Sequence, residues 1–195
     1  IGWFNAIPHE GNFPEALRRV FSEREFPEGT AALVTGTEGR ELFAVNSAIE
    51  PLCLEEVLAT FPEPILAVVS MGGEDLVVYT IGEDKKILTT FTGSKCASGT
   101  GEFFRQQLAR MDMSLPEVNS VPDTSRVLSL STRCSVFMKS DCTHRLNKRE
   151  ASKDDIVVSL SDVMATKVTD FLSRARIHRG TVLLNGATTQ NWHFV

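Results

Sequence analysis

Apolar residues recur along this chain with two different periods, and the change from one to the other sets the expected elements. Leu17, Val20 and Phe21 have the spacing of one helix face, and Pro14 stands where a first helical turn tolerates it, so a helix is predicted from Pro14 to Arg24. Pro27-Glu28-Gly29 breaks it, and Ala31 to Thr35 reads as a short buried strand ending at Gly36. Leu54, Val57, Leu58 and Phe61 restore helical spacing until Phe61-Pro62-Glu63-Pro64 stops the element and marks a lobe boundary. Three apolar runs follow: Ile65 to Met71, Leu76 to Ile81 and Lys86 to Phe91. The links between them, Gly72 to Asp75 and Gly82 to Asp84, are short and glycine-bearing, which predicts consecutive antiparallel strands.

Downstream the period lengthens again. Gly99 to Met113 reads as a helix through Phe104, Leu108 and Met111, Arg126 to Ser131 as a strand, and Val136 to Asn147 as another helix. The longest helix is expected from Asp154 to Arg176, with Val157, Leu160, Met164, Val168 and Phe171 on one stripe and two carboxylates at its positive end. Thr181 to Leu184 is a last strand, closed by Asn185-Gly186. Three antiparallel strands followed by alternating helices and strands is the order of the α/β ribonuclease H-like unit, which occurs twice in the two-lobed actin, Hsp70 and hexokinase ATPase superfamily. On that pattern, residues 1–62 are the tail of a first lobe lacking its opening strands and first phosphate loop, and residues 63–195 are a nearly complete second lobe truncated at its C-terminus. The chain opens on Ile1 and closes partway into an apolar segment, so it reads as a piece of a longer polypeptide.

Charge and composition narrow the partners. Twenty Lys and Arg against 25 Asp and Glu give a net charge of −5, which excludes a generically basic nucleic-acid binder. With 42% hydrophobic and 23% charged residues the chain can bury a core, but its apolar runs fall far short of the ~20 residues a membrane-spanning helix needs. Four scattered cysteines, 53, 96, 134 and 142, do not make a secreted disulfide framework, so a reducing cytoplasm is the expected setting. No Gly-x-Ser-x-Gly elbow, Walker loop or His-Glu-x-x-His is present, which leaves serine-hydrolase, P-loop and zincin chemistry without support.

Several stretches could carry other chemistry. Gly72-Gly73-Glu74-Asp75 offers exposed backbone N–H groups to a phosphate, with Glu74 and Asp75 beside it as Mg²⁺ ligands; a plain hairpin turn would use the same residues. Cys96, in Lys95-Cys96-Ala97-Ser98-Gly99-Thr100-Gly101-Glu102, precedes a helix whose N-terminus favours a thiolate; it could equally be a buried apolar filler. Cys134 repeats the arrangement after the next strand, and adjacent strand-to-helix junctions reach one sheet edge. Two thiolates leave a four-ligand metal centre half complete, and a symmetric dimer would supply the other two. Cys134, Cys142 and His144 match no strong zinc spacing, and His9, His178 and His193 are expected in solvent.

Taken together, these motifs resemble the activator ATPases of 2-hydroxyacyl-CoA dehydratases and the related ATPase subunits of benzoyl-CoA reductases. Lys95 to Phe104 is similar to that family's cysteine and glycine loop, and Arg133-Cys134-Ser135-Val136-Phe137 to its second cysteine motif. Met71 to Asp75 is similar to its second phosphate loop and Asn185 to Asn191 to its adenosine motif. The Ser140-Asp141-Cys142-Thr143-His144 continuation is most like the long members with two modules in one chain.

The resemblance implies an ATP-dependent reductive activator in which Cys96 and Cys134 hold a 4Fe-4S cluster shared across a homodimer, or with a second module of the same chain. The electron would pass to an acyl-CoA dehydratase or reductase partner. It also implies ATP or ADP with Mg²⁺ at Gly72, Gly73, Lys95, Gly99, Thr100, Gly101, Gly186, Gln190 and Asn191, with Glu74 and Asp75 catalytic. Two positions depart from the pattern: Ser70 replaces the usual acid before the glycine pair, and Asn185-Gly186 replaces Gly-Gly. With the first phosphate loop also missing, these residues alone are not expected to form a competent ATPase. The competing expectation is a degenerate actin-like lobe kept as a structural or docking module; a sugar or acid kinase of the same superfamily would leave both cysteines idle.

Overall fold

The computed structural model describes residues 7, 9, 11–93, 100–132 and 134–195. It divides into two units, residues 1–53 and 54–195. In the first, helix α1 (Phe13–Ser22) begins where the Asn12 side chain accepts a hydrogen bond from the Glu15 N–H at 3.3 Å, with Pro14 in its first turn. Strands β1 (Leu33–Val34) and β2 (Asn46–Ser47) pair in parallel, and helix α2 (Thr37–Leu42) lies between them in sequence. The strand expected over residues 31–35 is therefore shorter than its apolar run, and it is not buried: Leu33 is 65% exposed.

Helix α3 (Glu50–Leu58) starts in the first unit and ends in the second. It stops three residues before Phe61, so of the predicted face Leu54 and Leu58 are buried while Val57 is exposed. The second unit is built on strands β3 (Ile65–Met71), β4 (Leu76–Ile81), β5 (Ile87–Thr92) and β6 (Thr181–Asn185), in the order β5-β4-β3-β6. The first three run antiparallel as expected, with Val69 opposite Val78 and Val78 opposite Phe91. β6 returns parallel to β3, with Val69 opposite Leu184. Both faces of β3 are covered, which is why its sequence is apolar without alternation. Ala67, Val69 and Met71 face the larger core, while Val68 joins Leu54, Leu58, Tyr79 and Ile81 on the other side.

Among the described residues four α-helices follow β5: α4 (Gly101–Arg110), α5 (Leu115–Val118), α6 (Ser135–Asn147) and α7 (Lys153–Arg174). α7 buries Ile156, Val157, Leu160, Val163, Met164 and Val168, each contributing about 1.5–3 kcal/mol of transfer free energy. Ser152 caps it by accepting from the Asp155 N–H at 3.0 Å while Asp155 accepts from the Ser152 N–H at 3.0 Å.

The strand expected over residues 126–131 does not form. The segment is extended, but side chains of two helices take its backbone groups. Arg126 N–H donates to Asp155 Oδ1 at 2.8 Å, Leu128 N–H to Ser159 Oγ at 2.8 Å and Ser131 N–H to Asp141 Oδ2 at 3.1 Å. Arg145 Nη2 donates to the Ser129 carbonyl at 3.0 Å. A helix face spaced i, i+4 thus replaces a neighbouring strand. Among the described residues no helix is long and apolar enough to cross a membrane.

Candidate functional site

Three segments far apart in sequence meet at the C-terminal end of β3. The β3–β4 turn is closed by Gly72 N–H donating to the Asp75 carbonyl at 3.1 Å. Its other carbonyls point at the start of α4: Gly101 N–H donates to Gly72 O at 3.1 Å and Glu102 N–H to Gly73 O at 2.8 Å. Thr100 Oγ1 accepts from Phe103 N–H at 3.4 Å. The first three donors of α4 are therefore occupied within the protein, and the expected open helix terminus beside the cysteine loop is a helix capped by the glycine hairpin.

The third segment is the 3₁₀ turn Ala187–Gln190, just after β6. Gly186 holds φ +107°, and a Cβ there would lie 2.1 Å from Met71 O, so only glycine lets β6 turn this close to β3. Thr188 Oγ1 then donates to the same Met71 carbonyl at 2.8 Å. A Cβ on Gly101 would sit 2.9 Å from both Gly72 O and Thr188 Cγ2, so the three segments interlock.

Between them opens a cavity of about 460 Å³, within the range that holds small ligands. Gly72, Gly73, Gly101, Thr188 and Asn191 form one wall. A Cβ on Gly72 would meet nothing within 4 Å, which leaves the backbone open to an approaching group. Phe104, Leu108, Met113, Leu115 and Met164 add a largely apolar wall to the lining. Glu102 and Arg105 stand in the lining as well. Arg105 Nε donates to Glu102 Oε2 at 2.8 Å and Nη2 to Oε1 at 2.9 Å, while Gln106 Nε2 adds a third bond to Oε1 at 2.9 Å. The Arg105 bonds first, then Gln106, hold the Glu102 carboxyl down to about 2.

The residues singled out by sequence divide accordingly. Gly72, Gly73, Gly101 and Asn191 line the cavity, and Thr100 and Gly186 support it. Asn191 is buried; its Nδ2 donates to Ser161 Oγ at 2.9 Å and its Oδ1 accepts from His193 N–H at 3.1 Å. Gln190 contributes its carbonyl, which accepts from Asn119 Nδ2 at 2.9 Å. Glu74 and Asp75 are exposed at the hairpin tip and do not line the cavity. Lys95, Cys96 and Gly99 lie outside the described residues, and so does any approach of Cys96 to Cys134. Cys134 is half-buried at the N-cap of α6, with no side-chain cap hydrogen bond there, and exposed Val136 and Phe137 follow it.

Sequence reasoning missed the apolar wall and Thr188. The i, i+3, i+4, i+7 face of Gly101, Phe104, Arg105 and Leu108 carried part of that signal. The zinc spacing finds no counterpart: no group of three or more His, Cys, Asp or Glu that could hold a metal occurs among the described residues. Burial pushes the Cys142 thiol up to about 11, the behaviour of an apolar filler. His193 is not in solvent; its ring nitrogen lies 3.1 Å from Val118 O.

Strand order, the parallel return of β6 and a cavity at the end of β3 define an α/β lobe of the ribonuclease H-like, actin/Hsp70 type. Residues 56–195 match the BadF/BadG/BcrA/BcrD ATPase family, and the chain belongs to it. It is 27% identical over 120 residues to the 2-hydroxyisocaproyl-CoA dehydratase activator of Clostridioides difficile, covering 61% of this chain and 45% of that protein. The solved structure of the Clostridium difficile activator with bound ADPNP shares the fold, with TM-score 0.82 at 22% identity over 94% of this chain and 69% of that one. The (R)-2-hydroxyglutaryl-CoA dehydratase component A of Acidaminococcus fermentans aligns with TM-score 0.70 at 24% identity, over 83% of this chain and 62% of that one. The chain spans about half the length of the curated relatives it matches.

Proposed function

We propose that this chain is the nucleotide-binding module of an ATP-dependent activator that delivers an electron to a 2-hydroxyacyl-CoA dehydratase or benzoyl-CoA reductase type partner. The observation that carries the reading is the cavity where the glycine hairpin, the start of α4 and the Gly186–Asn191 turn interlock. The open backbone at Gly72 and Gly73 suits a phosphate, and the apolar wall of Phe104, Leu108, Met113 and Leu115 suits a flat base. Ligand-driven movement of any of the three segments would be felt by the other two, because they share the Met71 and Gly72 carbonyls.

On this reading residues 1–62 belong to a first lobe and residues 63–195 to the second. Cys134, with Cys96, would be the cluster ligand of each chain, with the second pair from another copy or module. Cys134 fits such a role: half-buried, at a helix mouth without a side-chain cap, beside apolar surface that could shield a cluster. A 4Fe-4S cluster there would supply one-electron transfer. Titration of the anaerobically purified intact protein with ADP and ATP, together with iron analysis, tests the reading. Nucleotide heat and about two irons per chain are expected; colourless protein that binds neither nucleotide refutes it.

Two observations favour a second reading, a lobe that docks without hydrolysing. Ser70 replaces the acid expected before the glycine pair, and Glu74 and Asp75 lie outside the cavity lining. Binding of ADP and ATP at equal affinity with no turnover by the intact protein is the result that reading expects.

A further inference from the structure

We propose that Glu102 and Arg105 form the sugar-reading end of the cavity, selecting a ribonucleotide over its deoxy form: the carboxylate accepts from one hydroxyl of the vicinal diol and the guanidinium donates to the other. The inference deepens the nucleotide reading and rests on it.

Availability of polar atoms is the first argument. Among the polar side chains of the lining, Thr188 Oγ1 and Ser114 Oγ give their single hydrogens to Met71 O and the Glu117 carboxylate, Asn191 is held by Ser161 and His193, and only Glu102 and Arg105 carry charge. Glu102 and Arg105 keep capacity. Oε1 accepts two hydrogen bonds, from Arg105 and Gln106, but Oε2 accepts only the Arg105 Nε bond, which leaves a lone pair. Arg105 Nη1 donates to no group among the described residues, and the side chain is 73% exposed at the cavity lip. An anionic acceptor beside a fixed cationic donor matches a diol, which offers a donor and an acceptor on neighbouring carbons. Carboxylates read ribose hydroxyls elsewhere for the same reason.

Order along α4 is the second argument. Gly101 touches the glycine hairpin, Glu102 follows, Phe104 and Arg105 share the next turn, and Leu108 leads to the apolar wall with Met113 and Leu115. A nucleotide presents phosphate, sugar and base in the same order. The rise from Gly101 to Leu108 is about 10 Å, which leaves room for a sugar between the two ends. The Glu102 carboxyl, held at about 2, stays ionised and acceptor-only across the neutral range.

Calorimetry on the intact protein with ADP, 2′-deoxy-ADP and 3′-deoxy-ADP tests the assignment. The wild type is expected to bind ADP about tenfold more tightly than at least one deoxy form, as a hydrogen bond to a charged group gives. In Glu102→Gln the preference should collapse toward unity while affinity for that deoxy form changes little. Arg105→Met, at a side chain that is 73% exposed, provides the same comparison should Glu102→Gln fail to fold. Equal wild-type affinities for all three nucleotides overturn the inference and leave nucleotide binding standing. So does a Glu102→Gln protein that weakens every nucleotide equally, the mark of a purely structural role at the start of α4. A wild type that binds no nucleotide overturns the underlying reading with it.

Discussion

Replacing Gly186 by alanine should damage the site more than any other single methyl group added to it. The backbone there is at φ +107°, ψ 164°, a region that L residues occupy only under strain of about 1–3 kcal/mol. The new Cβ would lie 2.1 Å from Met71 O and 2.7 Å from Met71 C, and overpacking of this kind costs a further ~1–3 kcal/mol. Relief by moving the turn would break the Thr188–Met71 bond at 2.8 Å, worth about 1 kcal/mol, and would shift one wall of the cavity. Gly186→Ala is therefore expected to lose about 2–6 kcal/mol, a large part of a typical domain's stability. Asn185→Gly makes the control: Asn185 is a strand residue opposite Ser70, and glycine there should cost only about 0.5–1 kcal/mol. Urea unfolding at pH 7 with ADP calorimetry on both variants checks the difference. A Gly186→Ala protein within about 0.5 kcal/mol of wild type that keeps full ADP heat would refute the close-approach argument.

Asp155→Asn should reveal a pH-dependent anchor. The Asp155 carboxyl is lowered from 3.8 to about 2, chiefly by the Ser152 and then the Arg126 backbone N–H, and its side chain is 10% exposed. A depressed carboxyl pKa adds stability above the unfolded value and loses it as pH falls, so wild type should exceed the variant by about 2 kcal/mol at pH 7, the gap closing between pH 4 and 2. A gap that stays constant in urea titrations across that range contradicts it. Cys142, buried with its thiol raised to about 11, should resist iodoacetamide in the native protein while half-buried Cys134 of cluster-free protein reacts, read by peptide mass mapping. Labelling of Cys142 at the rate seen in urea would refute its placement. Ser70→Asp combined with Asn185→Gly should raise ATP turnover of the intact protein at least tenfold over wild type in a phosphate-release assay; no change would show that these two positions do not limit it.

How much of this was legible from sequence depended on where each residue's partner lies. β3, β4 and β5 were readable because their partners are a few residues away across glycine turns, and α7 because Val157, Leu160, Met164 and Val168 recur on one face of a 22-residue helix. Residues 126–131 looked like a strand because they are extended and half apolar, yet their backbone partners are side chains of Asp141, Arg145, Asp155 and Ser159, which no local pattern reveals. The glycine motifs of the site were visible for a similar reason: a residue forced into φ +107° or into contact with another backbone has few alternatives. The apolar wall was not, since Phe104, Met113, Leu115 and Met164 come from α4, the α4–α5 link, α5 and α7 and look like ordinary core.

The two departures from the family pattern become one feature once the sheet is known. Ser70 and Asn185 are direct partners across the parallel β3–β6 pair, so their side chains leave the sheet on the same side. Met71, one residue on, points to the other face, where Met71 packs in the core and its carbonyl holds Thr188 above the cavity. Alternation along β3 thus separates two jobs. The cavity wall depends on Met71, Gly72 and the Gly186 turn, whose chain neighbours Ser70 and Asn185 send their side chains to the other face of the sheet. The position that would carry an acid lies on the opposite face, where a hydroxyl now faces an amide. The absence of a carboxylate at Ser70 therefore leaves the geometry of the cavity untouched, which makes the proposed lobe that binds nucleotide without cleaving it a physically consistent state.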